Sequence, residues 1–339
     1  MSKPYGTVML IGRFQPLHNA HLEIIKRCTA LTDQLVIVAG SAKQPRTYKN
    51  PFTFNERRQM ILAASAGLSL NVYVEPNIDT IYNDQAWAVR VQGIHSKYQV
   101  LGTKTAIIGY KKDDSSFYLD MFPQWDFIDV KKIEPLDGTD IRDLYFKNDV
   151  NMRFIHGVVP DTTFNFLEQF KNTPDYEQII REREFVANYK KQYASLPYPP
   201  IFSTADAVVI QSGHVLMIRR RAEPGRGLWA LPGGYVNANT DRSVEDAAIR
   251  ELREETGIKV PAPVLRGSIK RSKVFDAIDR SPRGRIITHA FHIELPDGEL
   301  PKVKGSDDAD KARWVPIAEV KSEECFEDHY EIIQHFLGA

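Results

Sequence analysis

The first forty residues fix the architecture of the N-terminal half. Thr7–Ile11 is a short apolar run that reads as a buried strand. A helical pattern follows over Asn19–Leu31, with Leu22, Ile25 and Leu31 on one side, and Leu35–Ala39 is a second apolar run. Two such strands joined by a helix pair in parallel, so the pattern predicts an α/β domain built on a doubly wound parallel sheet with helices on both faces. The alternation continues with helices near Phe54–Ala66 and Asp84–His95 and strands at Asn71–Val74, Thr105–Ile108 and Phe127–Val130. Thr53 and Glu56 form a T-x-x-E capping box at the start of the second helix.

The alternation ends in the second half. Asp175–Ala194 reads as one long helix, and Ser195-Leu196-Pro197-Tyr198-Pro199-Pro200 then breaks the chain. Length agrees with a division there, since 339 residues suggest about two domains at roughly 150 residues each. The expected domains are 1–185 and 201–339, with a helix end and Pro-rich linker at 186–200. Beyond the break, Ala207–Gln211 and Val215–Arg219 flank Ser212-Gly213-His214, a hairpin signal. One strong helix spans Ser243–Thr256 with Gly257 as its stop. Strands are expected at Val264–Ile269 and Ile286–Leu295, and a last helix near Asp328–Phe336. This is an α+β pattern with a mixed sheet.

Composition excludes several classes. Lys+Arg and Asp+Glu each number 44, a zero balance that argues against a general nucleic-acid binder. The cysteines are Cys28 and Cys325, far apart and in no C-x-x-C, so neither a disulfide framework nor a structural zinc site is expected. The longest apolar runs fall far short of the ~20 residues that cross a bilayer. Arg13 interrupts the first of them, which speaks against a signal peptide. The expected setting is cytoplasmic, with no membrane partner.

The segment Gly12-Arg13-Phe14-Gln15-Pro16-Leu17-His18-Asn19-Ala20-His21 directly follows the first strand. Ligands of open parallel sheets bind beyond the carboxyl ends of the strands. Gly12 lets the backbone turn tightly. His18 and His21, three apart at a helix start, share a face near the positive end of the dipole and can donate to phosphate oxygens. Taken alone, a pair of ordinary surface histidines fits equally well. Later in the chain Thr139 offers a hydroxyl and Arg142 a fixed cationic fork at another helix start.

The string resembles the G-R-F-Q-P-x-H-x-G-H signature of archaeal-type nicotinamide mononucleotide adenylyltransferases, with Ala20 in place of glycine. Gly40-Ser41-Ala42 with Asn50–Arg57 resembles the G-S-A…N-P-F-T-x-x-E-R stretch of that family, and Gly138–Arg142 its T-x-I-R motif. The resemblance covers roughly 5–170. It implies transfer of AMP from ATP to nicotinamide mononucleotide (NMN), giving NAD and pyrophosphate by in-line attack without a protein nucleophile. Catalysis is then positioning and charge stabilisation by His18, His21, Arg13 and Arg142 with Mg²⁺. The remaining implied ATP and NMN contacts are Gly12, Phe14, Gln15, Ser41, Asn50, Arg57, Asp79, Trp87, Gly109 and Thr139. Trp87 is either the ring that stacks on nicotinamide or a core residue among Ala86, Val89 and Val91.

In the second half, Glu251, Glu254 and Glu255 are spaced i, i+3, i+4 and share one helix face. Like charges so placed repel, and a hard divalent cation with oxygen ligands would offset this. A solvated acidic face balanced by Arg250 and Arg253 is the plainer alternative. With Leu231-Pro232-Gly233-Gly234-Tyr235-Val236 ahead of it, Arg250–Ile258 resembles the Nudix box G-x5-E-x7-R-E-U-x-E-E-x-G-U and matches its second part completely. Its first part departs: Arg242 stands at the usual glutamate position, two extra residues follow Gly234, and Asp241 is the carboxylate at hand to replace the missing one.

That resemblance implies hydrolysis of nucleoside diphosphates, with Glu251, Glu254 and Glu255 on the metal, Mg²⁺ or alternatively Mn²⁺, and Arg250 orienting the glutamates. Asp308 is either a further metal ligand or a solvated loop acid. Arg219, with Gly233 and Gly234, is placed on ADP-ribose, or Arg219–Arg221 is a basic strand end. Both halves in this order resemble the bifunctional NMN adenylyltransferase/Nudix hydrolase family, whose members also cleave ADP-ribose to AMP and ribose 5-phosphate. The alternatives are a second domain that senses ADP-ribose or NAD without turnover, and one that hydrolyses another nucleoside diphosphate. The expected partners are ATP, NMN, NAD and ADP-ribose, with homo-oligomerisation left open.

Overall fold

The computed structural model describes residues 3–110, 114–131, 136–147, 150–305 and 309–338. The chain divides into two compact units, Met1–Arg181 and Glu182–Ala339.

In the first unit, β1 (Thr7–Gly12), α1 (Asn19–Cys28), β2 (Gln34–Ala39), α2 (Phe54–Ser65), β3 (Asn71–Pro76), α3 (Asp84–Tyr98), β4 (Thr105–Gly109) and β5 (Asp126–Asp129) form the Rossmann-like core. Helices α4 (Gly138–Tyr145), α5 (Met152–Val158) and α6 (Asp161–Phe170) follow. The five strands run in the order β3-β2-β1-β4-β5 with parallel pairing throughout. Side chains alternate across the sheet: Val8, Leu10, Leu35 and Ile37 pack with Ile25 and Ile61 on one face. Met9, Val36, Val38 and Ile107 pack with Val91 and Ile94 on the other. The strand order reverses between β1 and β4, so a crevice opens beyond Gly12 and Gly109, where β1 and β4 end.

Helix α7 (Pro174–Lys191) runs through the division between the units. Its only proline is the first residue, where it is tolerated, so nothing inside the helix breaks it. The division therefore lies upstream of the Pro197–Pro200 break.

The second unit holds a mixed sheet of seven strands. Its strands are β6 (Ile201–Gln211), β7 (His214–Arg220), β8 (Trp229–Ala230), β9 (Gly233–Tyr235), β10 (Ile269–Phe275), β11 (Arg285–Glu294) and β12 (Ala309–Pro316). Its helices are α8 (Val244–Thr256), α9 (Ala262–Gly267) and α10 (His329–Leu337). The order is β10-β11-β6-β7-β12, and only β11 and β6 pair in parallel among these. β6 and β7 pair only at Ile210↔Val215 and Gln211↔His214 and then separate. β9 attaches to β6 and β8 to β7, leaving Leu231 and Pro232 to bridge them. Ile249 and Leu252 of α8 pack on Ala207, Val209 and Leu216.

One expected strand is corrected. Val264 and Leu265 lie in α9, and the strand starts at Ile269. Pro261 and Pro263 set helical entry geometry, and the Pro261 carbonyl accepts from both Val264 and Leu265. Among the described residues no helix is long and apolar enough to cross a membrane.

The capping box at Thr53 forms. The Thr53 N–H donates to Glu56 Oε2 at 2.7 Å, and Thr53 Oγ1 accepts from the Glu56 N–H at 3.4 Å. Arg46 braces Glu56 with two further bonds at 2.7 and 2.8 Å. Thr53→Ala is expected to lower stability by about 1 kcal/mol, the usual cost of a lost N-cap, measured by urea unfolding.

Candidate active sites

The loop after β1 is shaped by two buried guanidinium groups. Arg57, on α2, is 0% exposed. It donates to the carbonyls of Arg13 at 2.6 Å, Gly40 at 2.7 Å, Ser41 at 3.1 Å and Thr53 at 3.3 Å. Arg142, on α4, donates to Gln15 O at 2.8 Å, Gly138 O at 2.9 Å and Thr139 Oγ1 at 3.1 Å. The T-x-I-R segment is thereby joined to the first motif across 127 positions. Gly12 packs closely, since a Cβ there would lie 3.1 Å from the Phe14 ring and press on it.

Two of the expected ligand residues make strong contacts within the protein. Arg57 is committed to main-chain carbonyls and acts as a clamp on the loops. The Gln15 amide exchanges two hydrogen bonds of 2.9 Å with the Phe52 backbone, so it too is placed as a support. Both side chains are buried.

The other expected contact residues lie around the ends of β1, β2 and β4 or on the helices beside them. His18 is the N-cap of α1 and is buried, and its ring lies 3.8 Å from that of His21. His21 Nδ1 accepts from the His18 N–H at 3.4 Å, which leaves the proton on Nε2 as a donor. Arg13 is exposed. Asp79 accepts from both the N–H and the hydroxyl of Ser41, and so fixes the second loop. Gly109 ends β4, and a Cβ there would lie 3.2 Å from Leu119. Asn50 Oδ1 is buried and has no hydrogen bond. Trp87 is partly buried, its ring packed against Tyr118 and Phe122. Asn77 was not marked by the sequence; it is 1% exposed, with neither amide atom bonded. The only signal was an amide at a strand end, which is too common to single out.

Charge is distributed unevenly here. Burial and the neighbouring Arg13 lower Arg142 to about 10, and burial lowers Arg57 to about 10 against the pull of Asp79. Both stay cationic at neutral pH. Among the described residues neither has a carboxylate within ion-pair distance. Burial lowers His18 to about 4 despite Asp137, and burial together with His18 holds His21 well below its ordinary value. The imidazoles are therefore neutral donors, and the positive potential comes from the arginines and the α1 terminus.

The second site is assembled from β9 and α8. Ser243 caps α8 by accepting from the Asp246 N–H at 3.0 Å, and Gly257 ends it with φ 59°. The Gly233 N–H donates to Glu255 Oε2 at 2.9 Å. Gly233 is enforced, because a Cβ there would sit 2.5 Å from the Ala205 carbonyl oxygen and 2.8 Å from Asp206 Cα; one on Gly234 would sit 2.6 Å from Glu251 Oε1 and displace that carboxylate. Arg250 grips Asp241 with two bonds of 2.8 Å, Glu251 at 2.7 Å and Glu254 at 2.9 Å. Asp241 is thus the carboxylate that holds Arg250 with both oxygens. Arg242 pairs instead with Asp246 at 3.0 Å.

Among the described residues no three His, Cys, Asp or Glu side chains converge as a ready metal cage. Glu251 and Glu254 turn to Arg250, and Glu255 turns to Gly233. The donor set nonetheless suits a hard cation. Burial pushes Glu255 up to about 8, and the negative charges of Glu251 and Asp206 add to the shift. Burial also raises Glu251. The carboxylates are short of positive charge. Asp308 lies outside the described residues. Arg219 donates to Gly227 O at 3.1 Å, so it is partly committed to its own loop. Asp206 is a residue the sequence reading passed over; its signal was a carboxylate inside the apolar run Ala205–Ile210.

The His18 ring stays neutral over a pH range in which the unfolded chain does not. The unfolded chain protonates near pH 6.5, so burial of this ring weakens the fold only as pH falls from there to about 4. In an NMR titration the His18 ring signals are expected to hold their neutral positions at pH 6 and to move only near pH 4. A midpoint near 6.5 would contradict a buried neutral imidazole.

Comparison with known proteins places both units. Residues 9–210 match the cytidylyltransferase-like family, and residues 201–336 match the NUDIX domain. The chain is 33% identical to the nicotinamide/nicotinic acid mononucleotide adenylyltransferase of Acinetobacter baylyi, over 52% of this chain and 92% of that one. It is 30% identical to the ADP-ribose pyrophosphatase of Methanocaldococcus jannaschii, over 48% of this chain and 83% of that one. A crystal structure of the bifunctional NMN adenylyltransferase/ADP ribose pyrophosphatase from Francisella tularensis superposes with a TM-score of 0.91 at 34% identity, covering 98% of this chain and 99% of that one. The same protein with AMP and a Mn ion gives 0.90 at 33%. With likeness extending over both units, the chain belongs to the family of bifunctional NMN adenylyltransferase/ADP-ribose pyrophosphatase proteins, joining a cytidylyltransferase-like unit to a NUDIX domain.

Proposed function

We propose that this chain transfers AMP from ATP to NMN, forming NAD and pyrophosphate, and separately hydrolyses ADP-ribose to AMP and ribose 5-phosphate. The observation that carries the first activity is the pair of buried guanidiniums, Arg57 and Arg142, behind a loop that presents His18, His21 and Arg13. Such a crevice is matched to polyanions. Arg142, Arg13 and the α1 N-terminus hold the phosphates of ATP. The His18 and His21 rings supply neutral N–H donors as charge develops on the phosphorus under attack. No protein nucleophile is needed, because the NMN phosphate is itself the attacking group. The likeness to the Acinetobacter enzyme supports the substrate class. Ser41, Asp79, Asn50 and Trp87 are assigned to the mononucleotide and ribose contacts.

For the second activity, Glu251, Glu254 and Glu255 would hold a hard divalent cation, Mg²⁺ or the Mn²⁺ of the Francisella relative, whose charge activates water for attack on phosphorus. Arg250 orients Glu251 and Glu254, and Asp241 orients Arg250. The Gly233 N–H orients Glu255. Gly233 and Gly234 let the β9 backbone pass close to the carboxylates, where a side chain would block approach of a diphosphate.

Two substitutions separate the activities. His21→Ala is expected to cut NAD formation about 100-fold or more, the scale of a lost transition-state donor, while ADP-ribose hydrolysis is retained. Undiminished NAD formation would sink the assigned role. The Glu254→Gln, Glu255→Gln double change is expected to abolish Mg²⁺-dependent AMP release from ADP-ribose and to spare NAD formation. Persisting hydrolysis would show that the carboxylate site is misassigned, and a wild type that binds ADP-ribose without cleaving it would replace the hydrolase with a sensor.

A further inference from the structure

The entrance to the Gly233–Gly234 turn is held by a residue nearly one hundred positions away. His329 opens α10 and is 6% exposed, and its Nδ1 accepts the Leu231 N–H at 2.9 Å. Pro232 has no N–H, so Leu231 and Gly233 supply the only main-chain donors of this stretch. Leu231 gives its donor to His329, and Gly233 gives its donor to Glu255. The Pro232 carbonyl accepts from Ala207 at 2.8 Å. The three contacts fix the rotation of the chain just where a Cβ at 233 would strike Asp206.

The surroundings hold the imidazole in place. Its ring packs on Phe326 at 5.5 Å between centroids. Its sequence neighbour Asp328 is tied to Arg280 by bonds of 2.8 and 2.7 Å, with both side chains buried. The charged groups facing the ring are Asp206, Asp328, Arg280 and Arg220. Burial lowers the His329 pKa, which keeps the Nδ1 lone pair free to accept. The sequence motifs give no hint of this residue, because it lies beyond both matched patterns.

We propose that His329 is a positioning residue of the carboxylate site, setting the Leu231–Gly233 main chain and, through the Gly233 N–H, the orientation of Glu255. This rests on the reading of Glu255 as a metal-holding carboxylate. It makes the C-terminal helix part of the hydrolase site, although no residue of that helix carries the chemistry. Leucine at 329 would fill the volume and offer no acceptor. Asparagine would offer Oδ1 close to where Nδ1 stands.

The test uses the full chain and two variants, His329→Leu and His329→Asn. Mn²⁺ binding is followed by electron paramagnetic resonance, Leu231 amide exchange by hydrogen–deuterium exchange, and hydrolysis by kcat and KM for ADP-ribose. His329→Leu is expected to weaken Mn²⁺ binding tenfold or more, to speed Leu231 exchange and to lower kcat more than it raises KM. His329→Asn should restore most of each, and NAD formation should be unchanged in both. Wild-type Mn²⁺ affinity in a folded His329→Leu protein would overturn the assignment. Should that variant fail to fold, His329→Asn decides: near-wild-type Mn²⁺ affinity supports the assignment, and a folded protein with tenfold weaker binding overturns it. A wild type that binds Mn²⁺ without hydrolysing ADP-ribose would refute the hydrolase reading alone, because the Mn²⁺ affinities still judge His329.

Discussion

The first unit depends on a buried charge that, among the described residues, makes no ion pair. Arg57 is fully enclosed, and its guanidinium is satisfied by carbonyl dipoles from four residues. Burying an ion costs heavily unless each donor is matched. The fold meets that cost by turning the carbonyls of Arg13, Gly40 and Ser41 inward, two loops that leave adjacent parallel strands. Phe14 and Ser41, each in or beside a clamped peptide, take positive φ values of 53° and 51°. Such backbone is held only where its surroundings over-determine it. Removing Arg57 would therefore release both loops together, and with them the placement of His18, His21 and Asp79. Arg142 repeats the device from α4 on the Gln15 carbonyl.

The second unit reaches the same end with opposite charge. There the buried excess is negative, and one cation, Arg250, is shared among Asp241, Glu251 and Glu254. Asp241 binds it with both oxygens, the strongest geometry for such a pair. Arg250's hydrogen bonds hold the Asp241 carboxyl below its ordinary range, whereas burial raises Glu251, so Asp241 stays ionised when Glu251 gains a proton. A single displaced carboxylate thus keeps the arginine oriented although the box position is occupied by Arg242. The enlarged loop does not disturb the helix face, because the clamp joins residues nine apart through side chains.

What the sequence made legible follows from the range of the signals. Strand–helix alternation, the Thr53 box and the Gly257 stop are local, and each appears in the structure within a few residues of its expected place. The family motifs carried the nature of both sites because they are contiguous strings. Gln15 and Arg57 sit inside such a string, yet their side chains support the loop; a motif marks a residue without saying which way it points. His329, Asp206 and Asn77 were illegible for the converse reason. Each belongs to no string, and its neighbours are assembled only by the sheet. The strand expected at Val264 failed where Pro261 and Pro263 set helical entry against an apolar run that could serve either element.

The zero net charge of the chain is therefore a sum of two local imbalances, each left open by the fold. In the first unit, cationic groups are held by neutral dipoles, which cannot discharge them. In the second, carboxylates outnumber the guanidinium that orders them. Under the proposed function, a polyphosphate would offset the first imbalance and a divalent cation the second. The clamps are backbone contacts: Arg57 and Arg142 on carbonyls, and Gly233 and Leu231 on Glu255 and His329. Holding charge by main chain leaves the charged side chains' remaining faces free for the ligand. Arg57 and His329 thus shape the two sites through main-chain contacts alone.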